Sequence, residues 1–349
     1  MKKILALILA MLMVLALAAC SEAPAATEPA ATQPAATQPG ATEPAKEDPL
    51  VFGIAMPQLD NDGFKANMVG IRQFAEANGI EIVVNDAKNT ADVQMQNIED
   101  LITKGVDAIV MCPVDSGAAA AAVQKAVDAN IPVISFDRNV SGDLLAGLAE
   151  SNNTAHGAAA ADLMVEQAEA SGLGVEGLVV LELMGTQSAS AGLERHVGFA
   201  DRAKELGINI VSALPCDFKN DVAYNCVLDA FSANPNINAI YIPSDNACYA
   251  GVESALSQLG KLIPVGEPGH IMIVTVDGGP LGLEGIRNGY VDAIAAQSKL
   301  LMSEEAMSLA LKIVKGEAVE QNIIRINPTK VTKENVDDPS LWANAIKEF

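Results

Sequence analysis

Aromatic side chains are scarce in this chain. One Trp, four Tyr and eight Phe make up 4% of 349 residues. The core must therefore be built from Val, Ile, Leu and Ala, and a Phe beside a polar strand end stands out. Histidine is scarcer, and His156, His196 and His270 lie singly, so each reads as structural rather than catalytic. The five cysteines show no Cys-x-x-C or Cys/His spacing, which argues against a zinc site. Basic residues are few, 22 Lys and Arg against 44 Asp and Glu, for a net charge of -22. Such a surface repels phosphate backbones, so no nucleic-acid partner is expected. A glycine-rich phosphate loop ending in Lys-Ser/Thr is missing too. No cofactor and no metal are expected.

What the chain does have begins with a processing signal. Lys2 and Lys3 precede an unbroken apolar run from Ile4 to Leu17, short for a membrane span and of signal-peptide proportions. Leu17-Ala18-Ala19-Cys20 resembles the bacterial lipobox, which implies residues 1–19 as a lipoprotein signal peptide and Cys20 as the lipidated first mature residue. No later stretch is long and apolar enough to span a bilayer. Residues 20–49 repeat Ala-Thr-Glu/Gln-Pro. The repeat offers nothing large to bury, so it is expected to be a disordered tether. The mature protein is expected outside the cytoplasm, anchored to the membrane through Cys20.

From Leu50 onward, short apolar runs alternate with helical patterns. VFGIAMP, EIVVND, DAIVMCP and IPVISF alternate with helices, and Phe64, Met68 and Ile71 mark the face of the first one. After Asn153 the pattern restarts with GLVVLELM, NIVSALP, AIYIPSD, IMIVTVD and AIAAQ. Alternating β and α elements specify parallel sheets covered on both faces. Two such units without a long linker imply a cleft at their junction. After a long helix at about 301–315, the tail is expected to be charged and irregular. Cys112 reads as a small buried hydrophobe in its strand, and pairing among Cys216, Cys226 and Cys248 stays open.

The run Ile131–Phe136 ends abruptly in Asp137-Arg138-Asn139. In open parallel sheets, ligands sit outside the carboxyl ends of the strands. There, Asp137 offers an acceptor and Arg138 a forked donor. Taken with Ser151-Asn152-Asn153, SDNACYAG from Ser244, VDGGPLGLEGIRNG from Val276 and AIAAQ ending at Gln297, the chain from about Leu50 resembles the extracytoplasmic sugar-binding proteins of ABC transporters. Their fold is the type I periplasmic-binding-protein fold, which includes ribose- and galactose-binding proteins. The resemblance implies an α/β protein of two doubly wound parallel-sheet lobes joined by a three-crossover hinge. Residues 50–152 and 298–324 would form the N-terminal lobe, and 153–297 and 325–349 the C-terminal lobe, with the last crossing near Arg325.

The resemblance also implies a site. Asp137 and Arg138 match the family's strand-end polar pair, Asp277 a carboxylate for sugar hydroxyls, and Gln297 an amide that donates and accepts. Phe64 and Phe218 match aromatic walls. Asp62 and Gln58 fall at hydroxyl-contact positions of hexose binders. Ser244 stands where ribose binders carry asparagine, Gly63 where they carry a second phenylalanine, and Pro57 where they carry serine. Their second-lobe arginine aligns with Leu193, and Arg195 lies close by. A roomier pocket with Asp62 added leans toward a hexose or related polyol.

The expected function is a non-enzymatic, monomeric receptor that hands a sugar to an ABC permease, or alternatively one that signals through a sensor. A lactose-repressor-type regulator would need a basic headpiece, and the segment before Leu50 is a signal and an acidic tether. A secreted hydrolase is the rival from another class. Ser188-Ala189-Ser190-Ala191-Gly192 approaches a nucleophile elbow but lacks its first glycine, and a serine-rich helix start lining the cleft fits better. Asp60-Asn61-Asp62-Gly63 fails the calcium-loop spacing and reads as a turn.

Overall fold

A computed structural model describes residues 49–346. The signal peptide, Cys20 and all but the end of the tether fall outside the described residues. The first sheet takes strands β1 (Val51–Met56), β2 (Glu81–Asp86), β3 (Ala108–Met111), β4 (Val133–Phe136) and β5 (Gly147–Ser151), with helices α1 (Asp62–Asn78), α2 (Ala91–Lys104) and α3 (Ala119–Asp128) between them. The second takes β6 (Val180–Met184), β7 (Ile210–Pro215), β8 (Ala239–Ile242), β9 (Met272–Asp277) and β10 (Ala293–Ala296). Its helices are α4 (Asn153–Ala170), α5 (Ser190–Leu206), α6 (Asn220–Ala233), α7 (Asp245–Gln258) and α8 (Pro280–Arg287). Helix α9 (Lys299–Val314) returns the chain to the first sheet, where β11 (Ile323–Ile326) pairs with β5. Strand β12 (Thr329–Val331) then closes the edge of the second sheet and α10 (Trp342–Ala345) follows. The strand orders are β11-β5-β4-β3-β1-β2 and β12-β10-β9-β8-β6-β7. Every pairing is parallel except β10 with β12.

Each sheet has a core on both faces, because its central strands are apolar on both sides. Phe52, Ile54 and Met56 of β1 pack on α1 and α9, while Ala55 faces α2 and α3. This is the period-two alternation of a pleated strand. Gly53 lets α2 lie close on β1: a Cβ there would lie 2.8 Å from the Leu101 side chain, which would have to move.

The chain crosses between sheets after β5, after β10 and after β11, and the crossings are tied to one another. Ser151 Oγ donates to Gln297 Oε1 at 2.9 Å, linking the first to the second. Asn152 Nδ2 donates to Asn327 Oδ1 at 3.0 Å, linking the first to the third. Arg325 belongs to the first sheet, opposite Glu150, whose carboxylate accepts from its Nε at 3.0 Å. The third crossing therefore lies at Asn327–Pro328, just past the expected boundary. The tail also departs from expectation. It supplies an edge strand to each sheet, and it buries Trp342, 1% exposed, against the second core. Cys216 and Cys248 are free thiols whose sulfurs lie 3.5 Å apart in that core, and the Cys226 thiol points to the Pro215 carbonyl.

Candidate ligand-binding site

The carboxyl ends of both sheets open onto one cleft of about 740 Å³. From the first sheet, the end of β4 presents Asp137, Arg138 and Asn139. From the second come Asp277 at the end of β9, Ser244 after β8, and Phe218 from the loop after β7. Gln297 and Lys299 flank the second crossing. A smaller cavity of about 140 Å³ adjoins it, where Asn61 and Phe64 of the first lobe face Trp342 of the second.

Both strand-end carboxylates sit on left-handed backbone, Asp137 at φ 65° and Asp277 at φ 98°. Non-glycine residues adopt that region at a cost of roughly 1–3 kcal/mol, and it persists where surrounding contacts over-determine it. Those contacts are visible. Lys299 Nζ reaches Asp137 Oδ1 at 2.8 Å, and Arg138 Nε stands 4.0 Å from Asp137 Oδ2. Burial works to raise the Asp137 pKa, but Lys299 and Arg138 outweigh it and hold the carboxyl below its ordinary value. Asp277 Oδ1 takes Arg195 Nη1 at 3.0 Å and the Gln297 amide, while Oδ2 takes the Ser244 hydroxyl. Burial again pushes upward, and Arg195 first, then Lys299, pull the Asp277 pKa below normal. The backbone carbonyl of Asp277 accepts from Trp342 Nε1 at 2.7 Å.

Asp245 shapes the turn that follows. Its two oxygens accept the Gly278 and Gly279 amides at 2.8 Å each. Burial and the nearby charge of Asp277 drive the Asp245 pKa well above the usual carboxylate range.

Arg195 reaches the cleft from α5 because α4 and α5 pack through glycine. A Cβ at Gly157 would lie 2.1 Å from the Arg195 carbonyl, and one at Gly198 would lie 2.1 Å from the Thr154 carbonyl. The guanidinium, in a residue only 5% exposed, also donates to Asn153 Oδ1 at 3.0 Å and to the Pro243 carbonyl at 2.7 Å. On the first lobe, half-exposed Arg138 donates to the Pro113 carbonyl at 3.1 Å and stacks 5.7 Å above the Phe64 ring. Phe64 is thus both a core residue and a wall under Arg138. Phe218 closes against Gly185, where a Cβ would meet its ring at 2.2 Å.

The structure brings Asp137, Arg138, Arg195, Phe218, Ser244, Asp277 and Gln297 together on the cleft, with Phe64 at the smaller cavity. It does not bring Gln58 or Asp62 onto either lining. Asp62 opens α1, and its carboxylate pairs with Lys65 one turn on, at 2.8 Å. The helix is capped instead by Asn61, whose side chain accepts the Phe64 amide. Opposite Gly63, a Cβ would sit 3.7 Å from Lys299 Cε, so the lysine stem borders that side of the smaller cavity. Ser244 is mostly committed internally, donating to Asp277 and accepting from the Ala247 amide as the cap of α7.

Sequence reasoning missed Lys299 and Asp245. Lys299 left one signal: a cation opening a helix opposes the helix dipole and calls for a partner elsewhere. Ser188 and Ser190 line the cleft at the start of α5, and no group of His, Cys, Asp or Glu among the described residues is arranged to hold a metal ion.

Two α/β lobes with polar strand ends and an aromatic wall facing one hinged cleft define the class of two-lobe solute-binding proteins. The chain belongs to the periplasmic binding protein domain family, whose model matches residues 52–318. It is 30% identical over 268 residues to the ribose import binding protein of Salmonella typhimurium, spanning 76% of this chain and 86% of that one. It is 28% identical to the xylitol-binding protein of Mycolicibacterium smegmatis, over 77% of this chain and 73% of that one. A crystal structure of an ABC transporter solute-binding protein from Actinobacillus succinogenes with bound D-allose is 26% identical. It superposes with a TM-score of 0.71, over 83% of this chain and all of that one. The family is a transport family of non-enzymatic binding proteins.

Proposed function

We propose that the protein is a lipid-anchored, monomeric receptor that captures a sugar in the cleft between its lobes and delivers it to an ABC permease. One observation carries the reading. Donors and acceptors from both lobes, Arg138 and Asp137 on one side and Asp277 and Gln297 on the other, converge on a cleft with Phe218 along its wall. Fixed polar groups around an apolar face suit a ring with hydroxyls on its edge and C–H on its faces. Because the contacts come from both lobes across a three-strand hinge, ligand binding favours the closed form. Gly63, Pro57 and Ser244 depart from the ribose pattern and argue against ribose itself, while Asp62, which leaned toward a hexose or related polyol, lies off both linings and lends that choice no support. Lipid attachment through Cys20 rests on the lipobox resemblance.

Thermal melts with a panel of pentoses, hexoses and inositols test the reading. A ligand at a thousand times its Kd stabilises the folded state by about 4 kcal/mol, which is readily seen as a raised melting temperature. A panel in which no sugar or polyol shifts the melt refutes it.

A further inference from the structure

Two thiols in the core of the second lobe have no part in the sugar site. Cys216 follows β7 and Cys248 lies in the first turn of α7, 32 positions on. Both are fully buried, among Leu183, Val227, Ile242 and Tyr249, and their sulfurs stand 3.5 Å apart. Two sulfurs do not make a tetrahedral metal site, and no metal-holding group is found among the described residues. The third thiol of this lobe stands apart: Cys226 on α6 is partly exposed, and its sulfur faces the Pro215 carbonyl at 3.5 Å.

The backbone holds the pair side by side. The Cys216 amide donates to the Met184 carbonyl at 2.8 Å, and the Cys248 amide to the Ser244 carbonyl at 3.0 Å. Gly251 brings α7 onto the start of α6: its amide donates to Asn220 Oδ1 at 2.9 Å, and a Cβ there would lie 2.0 Å from the Asn220 carbonyl. A disulfide bond is about 2.05 Å long, so the sulfurs have roughly 1.5 Å to close, which side-chain rotation covers. The hydrogen bond from Cys248 lowers the pKa of Cys216 against the burial that works to raise it, and the same bond, with burial, raises that of Cys248. Cys216 is therefore the attacking sulfur. The place of the pair matters to the cleft. Cys216 precedes Asp217 and Phe218, which sit on left-handed backbone at φ 52° and 54°. Cys248 follows Ala247 on the cleft lining, in the helix that Ser244 caps.

We propose that Cys216 and Cys248 are a disulfide-forming pair, joined in the oxidising space outside the cytoplasm where this family works, and that the bond ties the Phe218 loop to the first turn of α7. The Cys216 thiolate attacks one sulfur of an external disulfide, that of a thiol–disulfide oxidoreductase, and the other sulfur leaves as a thiolate. The Cys248 thiolate then attacks Cys216 in the mixed disulfide and releases the second external sulfur. One S–S bond forms and one breaks, two cysteine sulfurs are oxidised and two external sulfurs reduced, and the two cysteine protons end on the released thiols. Both cysteines are buried in the packed lobe, so the exchange precedes closure of that core, and the finished bond is shielded from reductant.

Peptide mapping of the exported full chain, with free thiols alkylated in denaturant, tests the proposal. The expected product joins the Cys216 and Cys248 peptides and is lighter than the two free peptides by two hydrogen atoms, with Cys112 and Cys226 alkylated. Breaking the link should require denaturant as well as reductant. The reduced protein, refolded under reductant, should melt about 3–6 °C below the oxidised form. Hydrogen exchange at 217–219 should be faster in the reduced form. The double variant Cys216→Ala, Cys248→Ala should melt alike with and without reductant, and Cys226→Ala should keep the link. Alkylation of both Cys216 and Cys248 in the exported protein, and again after refolding with oxidised glutathione, overturns the proposal, as does a link from either to Cys226. Unchanged exchange at 217–219 overturns the hold on the cleft wall. None of these readings needs a sugar, so failure here leaves the receptor reading standing.

Discussion

Gly157→Ala puts the placement of Arg195 to a direct test. Helices α4 and α5 touch backbone to backbone at this point. The added methyl would stand 2.1 Å from the Arg195 carbonyl and 2.6 Å from the Phe199 amide nitrogen. Those atoms are backbone and cannot swing away, so α5 must retreat by on the order of 1 Å to restore ordinary contact. Arg195 rides on that helix. Its bonds of 2.7 to 3.0 Å to Pro243, Asn153 and Asp277 would stretch beyond the roughly 3.5 Å at which a hydrogen bond is lost. Overpacking alone costs about 1–3 kcal/mol of stability. Weakening the guanidinium contact to a largely buried carboxylate should add to that, and should cut ligand affinity at least about tenfold, since a charge-assisted bond is worth roughly 1.5–3 kcal/mol.

Gly207→Ala is the matched control. Gly207 caps the other end of the same helix at φ 77° with nothing within 4 Å of a Cβ. Alanine there should cost about 1 kcal/mol of backbone strain and leave affinity unchanged. Melts and titrations on the same samples separate the two effects. If Gly157→Ala melts and binds like the unaltered protein, the helix contact does not position Arg195 and the reasoning fails.

Other substitutions and conditions have defined outcomes. Arg138→Lys keeps the charge but loses the forked geometry and the stacking on Phe64, so calorimetry should show affinity falling about tenfold or more with little change in melting temperature; a lowered melt with unchanged affinity would make Arg138 purely structural. Gln187→Ala should bind normally, because that amide is spent on the Gly185 carbonyl at 2.8 Å. His156 is buried in α4, and desolvation, helped by the Arg195 charge, lowers its pKa to about 4. Its unfolded form takes up a proton below about pH 6.5 while the folded form resists, so stability should be full above that pH and fall by roughly 3 kcal/mol as pH drops toward 4; a His156→Gln variant that shows the same acid slope in denaturant titrations would place the effect elsewhere. Cys20→Ala should release the protein from membranes in fractionation without altering ligand affinity, and retention at the membrane would refute lipid attachment through that residue.

The elements legible in the sequence are those buried on both sides. Strand β9, MIVTVD, is buried at every position and reads as an apolar run. Edge strand β7 alternates half-buried and exposed positions, although IVSALP puts Ser212 on the inner side and Val211 on the outer and so carries no matching apolar alternation. Strands β11, IIRI, and β12, TKV, were not legible, since edge strands this short carry Arg325 and Lys330 toward solvent and look like tail. At the site, Asp137 and Asp277 could be found because an acid that ends a buried strand has few structural reasons to be there. Asp62 was misleading for the opposite reason: near a helix start, a carboxylate has a local use, and the Lys65 pair supplies it.

The partners of the two strand-end carboxylates were beyond the reach of sequence because they come from distant segments. Lys299 reaches Asp137 across 162 positions. It does so because the Lys299 carbonyl accepts from Asn67 Nδ2 at 2.9 Å, fixing the start of α9 against α1. Arg195 reaches Asp277 because glycines let α5 approach α4. Each carboxylate is thus charged, held on unfavourable backbone and partly neutralised before any ligand arrives. A ligand entering this cleft meets Lys299 and Arg138 beside one carboxylate and Arg195 beside the other. Affinity is therefore set jointly by the two acids that mark the site in the sequence and by the cations that the fold brings to them.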